Sequence, residues 1–170
     1  MVIIRKEQAV DYDEVYQVVR TAFESAEHSD GNEHDLVNAL RNGKAFIPEL
    51  SLVAEEDDRI IGHIMFTRAY VNDSCVLVLA PLSVLPHYQN KGVGSALITE
   101  DHRIASSLGY EYSVVLGSPI YYSKFGYKRA RNYGRTHSFD VPDEYFMAYQ
   151  LNNHAKRLDD VSIYLKEFGL

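Results

Sequence analysis

A chain of 170 residues, 46% hydrophobic and 24% charged, has the length and balance of one packed domain and is too apolar to stay disordered. Its formal net charge of -7 excludes a nucleic-acid grip, which needs clustered Lys and Arg, and favours neutral or cationic partners. A single cysteine, Cys75, excludes an internal disulfide and, inside an apolar run, reads as a buried small hydrophobe.

In chain order, Val2 to Lys6 reads as a first strand. Asp11 with Glu14 has the form of a helix cap, and Tyr12, Val15, Tyr16, Val19, Ala22 and Phe23 recur at helical spacing. A polar stretch over His28 to Asn32 breaks that helix, and Leu36, Val37 and Leu40 mark a second, stopped by Asn42 and Gly43. Leu52 to Glu55, a turn at Asp57 and Asp58, and Ile60 to Val71 predict an antiparallel hairpin. A turn at Asn72 and Asp73 leads into Cys75 to Ala80, whose unbroken apolarity predicts a central strand buried on both faces. The Asn72-Asp73-Ser74 triplet has the form of a glycosylation sequon, which has no meaning in the cytoplasm. Pro81 and Pro86 bracket Leu82 to Leu85, so the ladder should be interrupted there, because proline has no N–H to give.

Val93, Ala96, Leu97, Glu100, Ile104 and Leu108 mark a long helix stopped by Gly109, with only Glu100 off-type. Tyr112 to Leu116 follows as a buried strand, parallel to the one before the helix. Gly117, Ser118 and Pro119 open a short helix through Tyr122 to Phe125, closed by Gly126, and Tyr127 to Asn132 and Tyr145 to Leu151 read as strands. Val161 to Phe168 is expected as a last short helix or edge element. No apolar segment approaches the roughly 20 residues of a membrane span, and Met1 to Glu7 lack a signal peptide's apolar stretch and cleavage site. The expected location is the cytoplasm, without membrane contact.

The most informative run is Gln89, Asn90, Lys91, Gly92, Val93, Gly94, set between a strand and a helix. Two glycines allow a tight turn that exposes N–H groups at the positive helix end, the makings of an anion seat, although such turns also need Gly for geometry alone. A dinucleotide fingerprint would put a third Gly where Leu97 stands, and a P-loop would place its Lys after the Gly, whereas Lys91 precedes Gly92.

This turn resembles the Gln/Arg-x-x-Gly-x-Gly/Ala signature of the GNAT acetyltransferase superfamily. Pro81 to Leu97 looks like that family's cofactor strand, loop and helix, and Leu116 to Tyr127 resembles its short helix carrying a tyrosine ahead of a Phe/Leu-Gly-Phe/Tyr ending. The likeness covers residues 1 to about 152, is closest to a poorly characterised bacterial branch, and leaves 153–170 as a tail of one 1–170 domain. It implies an α/β (α+β) fold: a mixed, mostly antiparallel central sheet with two splayed parallel strands, flanked by helices.

It further implies acetyl-coenzyme A as co-substrate, its pantetheine arm along Leu82, Ser83 and Val84, with the Val84 N–H aimed at the thioester carbonyl. Gln89, Asn90, Lys91, Gly92, Val93, Gly94 and Ser95 would hold the phosphates, with Ser118 and Tyr121 also beside the cofactor. Tyr122 matches the family's general acid, which would protonate the departing thiolate, and Tyr121 is its rival for that role. Many members carry an Asn after the second splayed strand where this chain has Gly117 and Ser118, and Ser118 is the expected substitute. Glu33 matches a position often acidic in the related branch and is the candidate base, although an acid at a helix start is also favoured by the dipole.

His63, among apolar neighbours in a strand, reads as a satisfied core histidine, and the seven histidines show no metal-ligand spacing, so no metal is expected. The acceptor is expected to be a small-molecule or protein amine, and the tyrosine-rich C-terminal region offers a face for a homodimer. A non-catalytic acetyl-coenzyme A sensing module is the alternative to the enzyme.

Overall fold

The computed structural model describes residues 1–24, 31–71, 74–130 and 143–152. The turn at Asn72 and Asp73, part of the polar stretch at 28–32, the end of the strand expected to 132, and the tail expectation at 161–168 lie outside the described residues. The chain forms two compact units, residues 1–67 with 80–104 and residues 68–79 with 105–170.

In the first unit, β1 (Ile3–Lys6), β2 (Phe46–Glu56) and β3 (Arg59–Val71) run antiparallel, with Ile4 opposite Ala54 and Val53 opposite His63. α1 (Tyr12–Phe23) and α2 (Glu33–Arg41) present Val15, Val18, Val19, Val37 and Leu40 to the core. β2 begins six residues before the expected Leu52, because Phe46 pairs with Thr67 ahead of a register shift that ends at Ser51 opposite Met65. Pro48 and the exposed Glu49 occupy that irregular stretch, so it lacks the alternation that marks a strand. Asp11 does not cap α1. Its carboxylate takes two bonds from the Arg5 guanidinium at 2.8 and 3.0 Å and one from the Gln8 N–H at 2.8 Å. Glu14 instead accepts the Ile60 N–H at 2.7 Å and ties α1 to β3.

α3 (Val93–Ser107) turns a different face inward from the one expected. Val93, Leu97, Ile98, Asp101 and Ala105 are buried, whereas Ala96 is exposed, Ile104 is half-buried and Leu108 lies beyond the helix, 49% exposed. Contact is close: a Cβ on Gly62 of β3 would lie 3.1 Å from Leu97 and 3.2 Å from Val93.

In the second unit β4 (Ser74–Val84, its last five residues belonging to the first unit), β5 (Tyr112–Leu116), β7 (Phe146–Gln150) and β6 (Lys128–Arg129) follow in that order. β4 and β5 are parallel, pairing Leu77 with Ser113 and Val78 with Val114. β5–β7 and β7–β6 are antiparallel. This is the mixed, mostly antiparallel α/β arrangement that the sequence predicts. β4 is less enclosed than expected, since Val76, Leu77 and Leu79 are buried but Cys75, Val78 and Ala80 are only half-buried. β4 also continues past the expected Ala80, through Pro81 to Val84. α4 (Pro119–Ser123) is a single turn. Among the described residues no helix is long and apolar enough to cross a membrane.

Candidate functional site

In the first unit, β4 ends at Leu82, Ser83 and Val84, with Ser83 buried inward and Leu82 and Val84 half-buried on the other face. The Leu85 N–H donates to the Ile61 carbonyl at 2.9 Å, holding the strand end against β3. A 3-10 turn over Pro86–Tyr88 then redirects the chain. The Gln89 side chain closes this corner, its Nε2 donating to the Val84 carbonyl at 3.0 Å, while its backbone N–H donates to Pro86 at 3.3 Å. That N–H therefore serves the turn rather than an anion.

Asn90 and Gly92 both take positive φ, 60° and 86°. Open space surrounds Gly92, so its conformation and not crowding demands glycine. The first backbone bond along α3 runs from the Ala96 N–H to the Gly92 carbonyl at 3.0 Å. The amides of Val93, Gly94 and Ser95 ahead of it have no helical acceptor and stand at the positive end of the dipole. Lys91 is exposed, its Nζ 5.9 Å from the Tyr88 ring centroid. Beside this corner a cleft of about 620 Å³ is lined by Glu14, Gln17 and Thr21 of α1, Arg59 of β3, and His87 and Tyr88.

Glu33 is the first residue of α2, half-buried. His63 is wholly buried, as expected, and the sequence missed its network. Glu7 accepts from Arg41 at 2.7 and 3.3 Å and from the Ser51 hydroxyl at 3.0 Å, and Ser51 Oγ lies 3.1 Å from His63 Nε2. With its proton given to Glu7, Ser51 can only accept from His63, which fixes the proton on Nε2. Among the described residues Nδ1 is then an acceptor without a partner, so the histidine is only half satisfied there. The signal missed was the acid at Glu7, three residues beyond the β1 apolar run, which becomes meaningful only once β1, β2 and β3 are placed in register.

In the second unit Ser118 caps α4, its Oγ accepting the Tyr121 N–H at 3.3 Å. Tyr122 meets Tyr121 edge-on at 5.0 Å and Tyr127 at 5.6 Å between ring centroids. Tyr127 is itself fixed, its hydroxyl 2.7 Å from Ser113 Oγ. No hydrogen bond of the Tyr122 hydroxyl occurs among the described residues. Burial first, and Tyr121 beside it second, push the Tyr122 phenol pKa well above its ordinary value, so it stays protonated throughout the neutral range. Burial also raises Tyr121. No group of His, Cys, Asp and Glu able to hold a metal occurs among the described residues.

Residues 48–129 match the model of the acetyltransferase (GNAT) domain. The chain is 34% identical over 126 residues to the uncharacterised N-acetyltransferase YjhQ of Escherichia coli, covering 71% of this chain and 70% of that one. It is similar to a GNAT acetyltransferase from Brucella melitensis solved with acetyl-CoA, at 32% identity and TM-score 0.82 over 99% of this chain and 98% of the other. The structure of YhbS from Escherichia coli with CoA gives 26% identity and TM-score 0.83 over 99% and 92%.

Proposed function

The chain belongs to the GNAT acetyltransferase family, and from that premise we propose that its residues 1–170 act as one domain moving an acetyl group from acetyl-coenzyme A to a primary amine by direct attack. The observation that carries the reading is the first turn of α3, where three consecutive amides await an anion beside a glycine held at φ 86°. The pyrophosphate of the coenzyme suits that turn, with Lys91 adding charge, and the relatives solved with acetyl-CoA and CoA support the ligand.

Two protein groups then act on the thioester. The Val84 N–H stabilises the carbonyl oxygen as the amine attacks and negative charge develops there. Tyr122 gives its proton to the departing sulfur, so the C–S bond breaks without releasing a free thiolate. Ser118 and Tyr121 line the coenzyme, and Glu33 takes up the amine proton. The acceptor is a small-molecule or peptide amine.

The test is to mix the protein with acetyl-coenzyme A and a panel of amines and follow free thiol. Release that depends on an amine is expected, and Tyr122→Phe should lower kcat roughly 100-fold while leaving coenzyme affinity unchanged. Tight coenzyme binding without release on any amine would return the sensing module. Full activity in Tyr122→Phe would remove that residue from the chemistry.

A further inference from the structure

Gly117 directly follows β5, and its surroundings explain the glycine. A Cβ built there would collide with Cε2 of the Tyr122 ring and lie 2.9 Å from its Cδ2. The φ of Gly117 is not positive, so the backbone would accept a side chain and only the ring forbids one. The turn that presents this bare position is fixed at both ends: the Gly117 N–H donates to the Tyr145 carbonyl at 2.9 Å, and the Tyr122 N–H to the Ser118 carbonyl at 3.0 Å.

The ring is also held elsewhere. Tyr121 and Tyr127 meet it edge-on, and Tyr127 is anchored by Ser113. A ring gripped on several sides has little freedom in its two side-chain torsions, so the phenol oxygen is placed by packing. That matters here because the oxygen has no hydrogen bond among the described residues to place it.

We propose that Gly117 is a positioning residue for Tyr122: the missing side chain at 117 is the slot that sets the ring, and through it the proton donor. This rests on the reading of Tyr122 as general acid. Any side chain at 117 pushes the ring away, and a displacement of about 1 Å at a reacting group costs on the order of 100-fold in rate.

The experiment is a double-mutant cycle of Gly117→Ala with Tyr122→Phe, using acetyl-coenzyme A and the amine that the panel shows to be turned over fastest. Gly117→Ala is expected to lower kcat roughly 10- to 100-fold with the acetyl-coenzyme A KM changed less than about twofold, and to cost nothing further in the Tyr122→Phe background. Wild-type kcat in Gly117→Ala, or losses that multiply in the double variant, would overturn the proposal while leaving Tyr122 as the acid. Wild-type kcat in Tyr122→Phe would instead end the acid assignment and this inference with it.

Thermal unfolding of Gly117→Ala, Tyr122→Ala and their double variant reads the collision without turnover. The methyl at 117 should lower the melting temperature when the ring is present and leave it unchanged when the ring is gone. An equal drop in both backgrounds would show that something other than the ring excludes a side chain, and would overturn the proposal.

Discussion

His63 and Asp101 lie buried in the first unit with opposite consequences for pH. Burial, and after it the Arg41 guanidinium, push the His63 pKa down to about 3. The unfolded chain takes up this proton near pH 6.5 and the folded chain does not until about pH 3, so His63 lowers stability as pH falls through that window, by up to about 1.4 kcal/mol per pH unit. Urea unfolding of His63→Gln should show a shallower fall than the parent between those values, and parallel curves would contradict the buried neutral imidazole. Among the described residues Asp101 has neither carboxylate oxygen bonded, and burial first, then Glu100, raises its pKa well above the ordinary value. Here the unfolded state loses its proton above about pH 3.9 while the folded state keeps it, so stability declines as pH rises. Asp101→Asn, which mimics the neutral acid, should melt higher than the parent at pH 7 and converge with it toward pH 3. A constant offset at both pH values would contradict this.

At the scale of elements, α2 is fastened to β1 by Arg41, which reaches Glu7 at 2.7 Å with both side chains nearly inaccessible, and also lies 3.9 Å over the Tyr12 ring of α1. Arg41→Ala leaves a buried carboxylate without its cation and should cost about 3–5 kcal/mol in chemical unfolding. A loss under about 1 kcal/mol, the range of an exposed pair, would contradict the clamp. The sequence showed α1, α2, β3, β5 and α4 because each carries one period of apolar residues or a turn signal at its end. It hid the start of β2, where Pro48 and Glu49 break the alternation, and it mis-phased α3. Ile104 and Leu108 looked like core positions and Asp101 did not, yet the helix buries Asp101 and leaves Leu108 outside. A buried acid inverts the polarity on which any periodicity reading depends. Asp11 was misread for a related reason: the geometry of a cap was present in sequence, but Arg5 claimed the carboxylate across the chain.

For the whole molecule, the loop and α4 were legible because each is a contiguous motif whose residues need only their neighbours to have meaning. The Gly117 slot, the Glu7–Ser51–His63 chain and the commitment of the Gln89 N–H to its own turn were not, since each depends on an atom several residues or a strand away. Net charge, -7 over the full chain, belongs to this scale too; it permits a cationic amine, whose encounter would slow with added salt, without selecting one. In the proposed function the amides at the start of α3 hold the diphosphate of coenzyme A. Its most direct test is the shift in melting temperature produced by coenzyme A, ATP and NAD in the parent and in Gly92→Val, which a φ of 86° at position 92 disfavours. A rise with coenzyme A that exceeds both nucleotides and is lost in Gly92→Val is predicted. An equal rise with ATP or NAD, or a coenzyme A shift untouched by the substitution, would contradict it.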